Sequence, residues 1–553
     1  MFRRELLWIG VFSFIANILM LTPTIYLLQI YDRVLTGRSE LTLLVVTLFL
    51  ITFFGFMTFA EWIRSRLLVQ TGVRIDEELN SRVFNATFEA YLRQVRRNPV
   101  EAFSAMTTLR QFLTGQGILA IFDSPWTVIY IIVIFLLHPL LGLLSVLFAC
   151  IQLGLTWMSH RATVEDIEHA TRADADSAVF VQSKLRNIEP LHAMGMLGNM
   201  KRRWFEVHER SLDDSGVSLE KLNRQQSTIK FVRFTMQSLT LGAAALLVID
   251  GRLTPGAMIA SSVLMTRALQ PLDLLVSSWK LFVQAKMAFS LLESVLDEFP
   301  ERIAGKDHGD PAGNLTIQKL SATVPGRRTP ILDDISADIP SGRVLVMIGP
   351  SGSGKSTLAR CMVGVWPDVE GGVLIDGEPV ESWDRRELGP HIGYLPQDIE
   401  LFEGSIAENI ARFGKVDPEK VVEAARRTGI HEMILRFPAG YDTEIGEAGS
   451  MLSAGQRQRL GLARAIYGNP AIIVLDEPNA NLDDVGDHAL LQAIEELKKQ
   501  GKTVVVISHR PYIVKVADLL LILRDGRVVH FGLRDTVLSE IRSQSAQPVE
   551  SAG

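Results

Sequence analysis

Six stretches of mostly apolar residues crowd the first half of the chain, and they restrict its fold more than anything else in the sequence. They are Leu6–Ile30, Leu41–Trp62, Ile118–Leu137, Leu140–Met158, Phe231–Ile249 and Pro255–Leu275. A helix needs about 20 apolar residues to cross a bilayer core, and each stretch is close to that length. Only His138-Pro139 parts the third from the fourth, so these two form an antiparallel pair. The first stretch is longer than the apolar core of a signal peptide and no small-residue cleavage site follows it. It therefore reads as an uncleaved membrane helix. Three connections are short: "YDRVLTGRSE", "HP" and "DGRLTPG". The other two, Ile63–Gly117 and Ser159–Lys230, are long and rich in arginine and lysine. The positive-inside rule places them, with Arg3-Arg4, in the cytoplasm. Their alternation of apolar and charged residues predicts helices that continue out of the membrane. Arg267 falls within the sixth stretch, where an arginine is costly. It either lines a polar path or is a packed or snorkelling side chain. Gln270-Pro271, one turn on, has the means to kink that helix and free a carbonyl.

After Asp297 the composition becomes that of an ordinary soluble domain. The net charge of −6 argues against general nucleic-acid binding. The two cysteines, Cys150 and Cys361, cannot build a disulfide framework or a cysteine-rich metal site. "LTIQKLSATV" and "ILDDISADIP" read as strands, and "RVLVMIG" as a buried one. The last runs into "GPSGSGKST", which is Gly349, Pro350, Ser351, Gly352, Ser353, Gly354, Lys355, Ser356 and Thr357. A helical pattern follows. This is a phosphate-binding loop in its required strand–loop–helix context: glycines let backbone N–H groups wrap phosphate oxygens, and the helix N-terminus adds partial positive charge. Lys355 reaches the β- and γ-phosphates of ATP, and the Ser356 hydroxyl ligates Mg²⁺. Further on, "AIIVLDEP" reads as a buried strand that ends in Asp476-Glu477. Asp476 is placed to hold Mg²⁺, and Glu477 to orient or deprotonate an attacking water. For Glu477 the plain alternative is a surface acid.

From Leu315 to Arg534 the chain resembles the nucleotide-binding domain of ABC transporters. "MLSAGQRQRLGLARA" resembles the signature segment, with Ser453, Gly455 and Gln456 in place. The resemblance implies that these three contact ATP held by a partner domain. It assigns Gln397 of "YLPQD" to catalysis and to Mg²⁺, and His509 of "VVVISHRP" to catalysis. "NLDD", residues 481–484, matches the D-loop, and "TEIGEAG", residues 443–449, an exporter loop that touches the membrane domain. One nucleotide-binding domain per chain implies a homodimer. "SKLRNIEPLHAMGM", residues 183–196, is a candidate coupling segment by position.

Six membrane helices ahead of one ATPase resemble an exporter half-transporter. The expected fold is an α-helical six-helix transmembrane domain fused to an α/β P-loop ABC nucleotide-binding domain. The expected domains are residues 1–295 and 315–540, with a linker at 296–314 and a disordered tail at 541–553. Residues 20–43, 109–131 and 393–413 and the form "DEPNANLD" resemble type I secretion exporters that handle alkaline proteases, lipases, haem carriers and S-layer proteins. That resemblance implies ATP and Mg²⁺ as cofactors and a secreted protein with a C-terminal signal as cargo. It also implies a periplasmic adaptor (a membrane fusion protein) and an outer-membrane channel as partners. The setting would be the lipid of the inner membrane, with the ATPase in the cytoplasm. Only about five residues precede the first helix, which disfavours exporters with a peptidase or peptidase-like front domain. A lipid or drug flippase uses the same engine, and a gating ATPase would show a damaged catalytic set. Two departures stand out. Ala454 replaces the middle glycine of the signature, where no positive φ is needed. Thr323 or Val324 stands where adenine usually finds an aromatic partner, which implies weak adenine discrimination. Asn479 and Asn481 have two readings: local hydrogen bonding in a tight turn, or contact with the opposite ATP site.

Overall fold

The computed structural model describes residues 3–93, 99–185, 188–300, 308–324, 329–446, 449 and 451–545. Apart from the stretch 92–95, it divides into one compact unit up to residue 301 and another from residue 302.

The first unit is helical. Five of its helical runs are long and apolar enough to cross a bilayer: Leu7–Gly37, Glu40–Leu92, Pro139–Val181, Leu197–Ile249 and Pro255–Ser277. The pair Gln116–Asp123 and Trp126–Leu137, bent by 42° at Ser124-Pro125, passes the same test together and is a sixth when counted as one span. The helices Glu40–Leu92 and Leu197–Ile249 are each 53 residues. That is about 80 Å at 1.5 Å per residue, well over twice a bilayer core. The expected continuation of membrane helices beyond the bilayer is therefore met. The helix Ile188–Ala193 lies within the candidate coupling segment, of which residues 186–187 fall outside the described residues.

An apolar solvent gives no credit for unpaired polar groups, and several charged and polar side chains of this unit are paired across helices. Asp123, at the bend, accepts from Arg64 at 3.1 Å and from the Asn17 amide at 2.7 Å. Arg64 also donates to Ser13 at 3.2 Å, and the Tyr130 hydroxyl donates to the Asn17 carbonyl at 3.0 Å. Three crossings are thereby tied together. Asp273 pairs with Arg233 and accepts from Gln152 at 2.9 Å, which ties three others. Asp32 lies in a π-helical turn, Ile30–Val34. It accepts from the Thr254 hydroxyl at 2.7 Å and the Gly256 N–H at 2.9 Å, capping the start of the helix Pro255–Ser277. That helix runs on through Pro271. Arg267 is half-buried and donates to Gln270 at 3.1 Å and to the Met20 sulfur at 3.7 Å.

The second unit is α/β. Its strands are β1 (Leu315–Ala322), β2 (Leu332–Ile339), β3 (Val344–Ile348), β4 (Val369–Ile375), β5 (Glu378–Pro379), β6 (Ile392–Leu395), β7 (Gly404–Ser405), β8 (Glu444–Ile445), β9 (Ile472–Asp476), β10 (Thr503–Ile507), β11 (Leu519–Arg524) and β12 (Arg527–Leu533). Six form one sheet in the order β12-β11-β3-β10-β9-β6, and β11, β3, β10, β9 and β6 run parallel. Side chains alternate across it. Val344 and Val346 enter one apolar cluster, while Leu345 and Met347 enter the other. A sheet covered on both faces explains the unbroken apolar runs 344–348, 472–475 and 504–507 of β3, β9 and β10. The four-stranded sheet β2-β1-β4-β5 is antiparallel and joins the second cluster.

Two boundaries differ from expectation. The helix Trp279–Glu298 runs past residue 295, into the expected linker, of which 301–307 lie outside the described residues. The last helix, Arg534–Ser545, enters the expected disordered tail because Ile541 still packs on the apolar cluster; residues 546–553 lie outside the described residues.

The Arg64–Asp123 side chains are only 11% and 16% exposed. Removing one partner of a buried pair costs about 3–5 kcal/mol, whereas replacing both by apolar residues is often neutral. Asp123→Ala is expected to lower the thermal midpoint of the detergent-solubilised protein clearly. Arg64→Met with Asp123→Leu should recover most of the loss. An unchanged midpoint in Asp123→Ala alone would refute a structural pair.

Candidate ATP site

Four neighbouring parallel strands end on one edge of the sheet, and each delivers one motif there. β3 leads into residues 349–354, β10 into Ser508-His509, β9 ends at Asp476-Glu477, and β6 leads into Pro396-Gln397. Ligands of open parallel sheets bind at such carboxyl ends. The sheet order therefore assembles groups spread over more than 150 residues.

The loop after β3 is tightly held. A Cβ on Gly349 would lie 2.1 Å from the Leu523 carbonyl oxygen, so only glycine fits. Gly352 and Gly354 adopt left-handed backbone conformations, φ +80° and +97°. The helix Lys355–Met362 then begins, its N-terminus at the loop. The buried Lys355 amine donates to the Gly349 and Pro350 carbonyls at 2.8 Å each. Burial lowers its pKa, and the charges of Glu477 and Asp476 partly restore it. A cradle of backbone N–H groups with a desolvated cation at its base fits a polyphosphate. Ser356 and Thr357 stand in the first turn of that helix, and Ser351 is exposed on the loop.

Asp476 is 1% exposed, and neither carboxylate oxygen receives a hydrogen bond of normal geometry. Burial raises its pKa; the Ser356 hydroxyl, Arg360 and Lys355 offset this in part, and Glu477 adds to it. A buried carboxylate beside a hydroxyl suits a hard divalent cation such as Mg²⁺. No group of three or more His, Cys, Asp or Glu forms a metal site among the described residues. Most of the cation's other ligands would therefore come from phosphate and water, as Mg²⁺ prefers.

Glu477 has φ +49°, a left-handed conformation uncommon for a residue with a side chain. Its carboxylate lies 3.4 Å from the Gln397 amide and 3.6 Å from the His509 Nε2. The structure thus brings Gln397, Glu477 and His509 together, and Lys355 and Asp476 are close enough to be felt. An acid, an amide and an imidazole around one space can orient a water and take its proton.

Ser453, Gly455 and Gln456 are placed differently. Ser453 caps the helix Ala454–Ile466 by accepting from the Gln456 N–H at 3.3 Å, and Gln456 accepts from the Ser453 N–H at 2.8 Å. This capping box makes an ordered helix N-terminus. Ala454 is its first residue and needs no unusual backbone, as expected. Among the described residues no hydrogen bond or ion pair joins these three to residues 349–357 of the same chain. Gly455 abuts the D-loop: a Cβ there would lie 2.7 Å from the Asn481 carbonyl oxygen.

Asn479 is 6% exposed and accepts from the Ser508 hydroxyl at 3.0 Å. This favours the local reading of that asparagine, though its partner is a side chain at the end of β10, not a turn backbone. Sequence reasoning missed that tie, and it missed Gln458, which donates to the Glu477 and Pro478 carbonyls. The signal for Gln458 was a polar residue on the apolar face of a helix. Thr323 is bonded to Asp368 and accepts from the Trp366 indole at 2.9 Å. Residues 325–328 and 447–448 of the quoted segments lie outside the described residues.

Membrane-crossing helices and a P-loop ATPase on one chain define an ABC transporter. Residues 332–480 match the ABC transporter family and residues 6–272 the ABC transporter transmembrane region. The chain is 39% identical over 98% of its length to the type I secretion system ATP-binding protein PrsD of Rhizobium meliloti (strain 1021), covering 93% of that protein. It is 29% identical to the toxin RTX-I translocation ATP-binding protein of Actinobacillus pleuropneumoniae and 28% to the leukotoxin translocation ATP-binding protein LktB of Mannheimia haemolytica, covering 77% of each. The structure of a bacterial Atm1-family ABC exporter with ATP bound shares its fold, with a TM-score of 0.85 over both whole chains at 23% identity. The chain belongs to the ABC transporter family, and within it to the ATP-binding exporters of type I secretion.

Two outcomes follow from this geometry. Glu477→Gln should retain ATP binding and lose at least about 100-fold in kcat; near-normal turnover would remove Glu477 from the chemistry. For Asp476 the sign is set by its raised pKa. The folded chain holds the proton more tightly than an unfolded chain, so the ionised form needed by a cation is disfavoured as pH falls toward that value. Mg²⁺ affinity, measured by titration at stepped pH, should weaken on acidification, and Asp476→Asn should flatten that dependence. A pH-independent affinity in the unaltered protein would contradict it.

Proposed function

We propose that this chain is the ATP-hydrolysing membrane subunit of a type I secretion system, exporting a polypeptide with a C-terminal secretion signal across the inner membrane. The observation that carries the reading is the convergence of a complete hydrolytic set at the ends of β3, β10, β9 and β6 in a chain similar to secretion proteins over nearly its full length. In this reading the backbone of residues 349–354 and Lys355 hold the β- and γ-phosphates. Ser356, Asp476 and Gln397 hold Mg²⁺, which bridges the phosphates and neutralises developing charge. Glu477 orients the water, and His509 supports it.

The chain works as a homodimer. Ser453 and Gly455 open a helix whose N-terminus suits an anion and which is not engaged with its own P-loop. A second copy, related by a twofold axis, would present that helix to the first copy's ATP. The ATPase unit lies in the cytoplasm, as the basic long connections require. The partners are a periplasmic adaptor and an outer-membrane channel, in keeping with the type I secretion relatives. A lipid or drug flippase is the competing use of the same engine.

Deleting the gene and comparing secreted proteins should reveal at least one protein lost from the medium. A synthetic C-terminal segment of that protein should alter the ATPase rate of the purified dimer. An unchanged secreted profile, with turnover stimulated by lipid vesicles alone, would favour the flippase.

A further inference from the structure

We infer that Gln458 is a positioning residue for Glu477. Gln458 is 1% exposed, in the helix Ala454–Ile466, and its amide nitrogen donates to two consecutive carbonyls, Glu477 at 3.2 Å and Pro478 at 2.9 Å. Carbonyls accept only, so the amide can face them in one orientation, with its nitrogen forward. The two carbonyls belong to the segment whose backbone is left-handed at Glu477. Such a conformation persists where the surroundings over-determine it. Four restraints do so, one of them local: the Ala480 N–H donates to the Glu477 carbonyl at 3.1 Å. The Glu477 N–H donates to the Ile507 carbonyl at 3.1 Å, Asn479 accepts from Ser508, and Gln458 donates to the Glu477 and Pro478 carbonyls. The bonds to Ile507 and Ser508 fix the segment to the end of β10, which also leads into His509. Gln458 is the one that fixes it to the signature helix, one turn in from Ser453.

A buried glutamine is often no more than a satisfied polar group in a core. Here the two carbonyls it satisfies belong to the two peptide units that directly follow the Glu477 Cα, the backbone that aims the Glu477 carboxylate at Gln397 and His509. Without the donor, the left-handed turn loses its hydrogen-bonded tie to the signature helix, and the carboxylate loses its aim. A misplacement of about 1 Å is enough to cost on the order of 100-fold in rate.

The inference rests on the reading of Glu477 as the group that activates water, and the test separates the two. Gln458→Leu and Gln458→Met, similar in size and without donors, are made in the full chain, alone and together with Glu477→Gln. Either single variant should lower kcat at least about tenfold and leave the ATP KM within about twofold. Neither should add to the loss in the Glu477→Gln background, because a residue acting only through Glu477 has nothing further to remove. If Glu477→Gln stalls turnover and the Gln458 variants turn over normally, the inference fails and the base assignment stands. If the variants raise KM, add to the Glu477→Gln loss, or unfold without a selective loss of kcat, Gln458 is only structural and the inference is overturned. If Glu477→Gln itself turns over normally, the base assignment fails first.

Discussion

Asp476 is a buried carboxylate at the end of a fully buried strand, with the Ser356 hydroxyl and the charges of Arg360 and Lys355 as its compensation. Burying a charged acceptor is costly, and the cost is met by the fold around it. β9 lies between β10 and β6 with both faces covered by apolar clusters, so the strand end cannot move out to water. The sheet therefore keeps this carboxylate in place at low exposure. The same confinement lowers the Lys355 pKa and turns its amine onto loop carbonyls. Asp476 and Lys355 feel each other's charge across the same strand ends that deliver the phosphate-binding loop.

The membrane unit follows the opposite rule. There three acids, Asp123, Asp273 and Asp32, are matched, and each match ties different crossings. Asp123 joins the runs that start at Leu7 and Glu40 to the bent pair. Asp273 joins Pro255–Ser277 to the helices carrying Gln152 and Arg233. Asp32 caps the first turn of Pro255–Ser277 from another run. In hydrocarbon the packing of Leu on Leu is little better than Leu on lipid, so polar ties set which helices touch and at what register. The bend at Ser124-Pro125 places Asp123 where two such ties meet.

Much of this was legible in the sequence because the signals are local. Apolar length marked the six crossings, and the strand–loop–helix pattern placed Lys355 and Ser356. The acids after β9 announced themselves by following an unbroken apolar run. What was not legible depends on contacts between distant segments. Nothing near Asp123 names Arg64 or Asn17 as its partner, and nothing near Asn479 names Ser508. The end of the last helix was misjudged because "IRSQSAQPVESAG" is polar, while its first residue, Ile541, has a core to pack against. The bend in the third crossing is a matter of Ser124-Pro125 inside an apolar run that otherwise reads as one helix.

The two asparagines of "DEPNANLDD" show how this site joins inner and outer contacts. Asn479 is turned inward, bonded to Ser508 beside His509. Asn481 is exposed, and its carbonyl oxygen leaves no room for a side chain on Gly455. Three residues beyond Gly455 the same helix carries Gln458, bonded to Glu477 and Pro478. The segment 477–481 is therefore gripped along its length by the signature helix on one side and the end of β10 on the other. Backbone packed on backbone transmits displacement with little loss, because interiors are close-packed. A push on the Ser453 end of that helix must move Asn481, Glu477 or both. The exposed Asn481 and the Glu477 carboxylate thus sit on one short segment tied to the same helix.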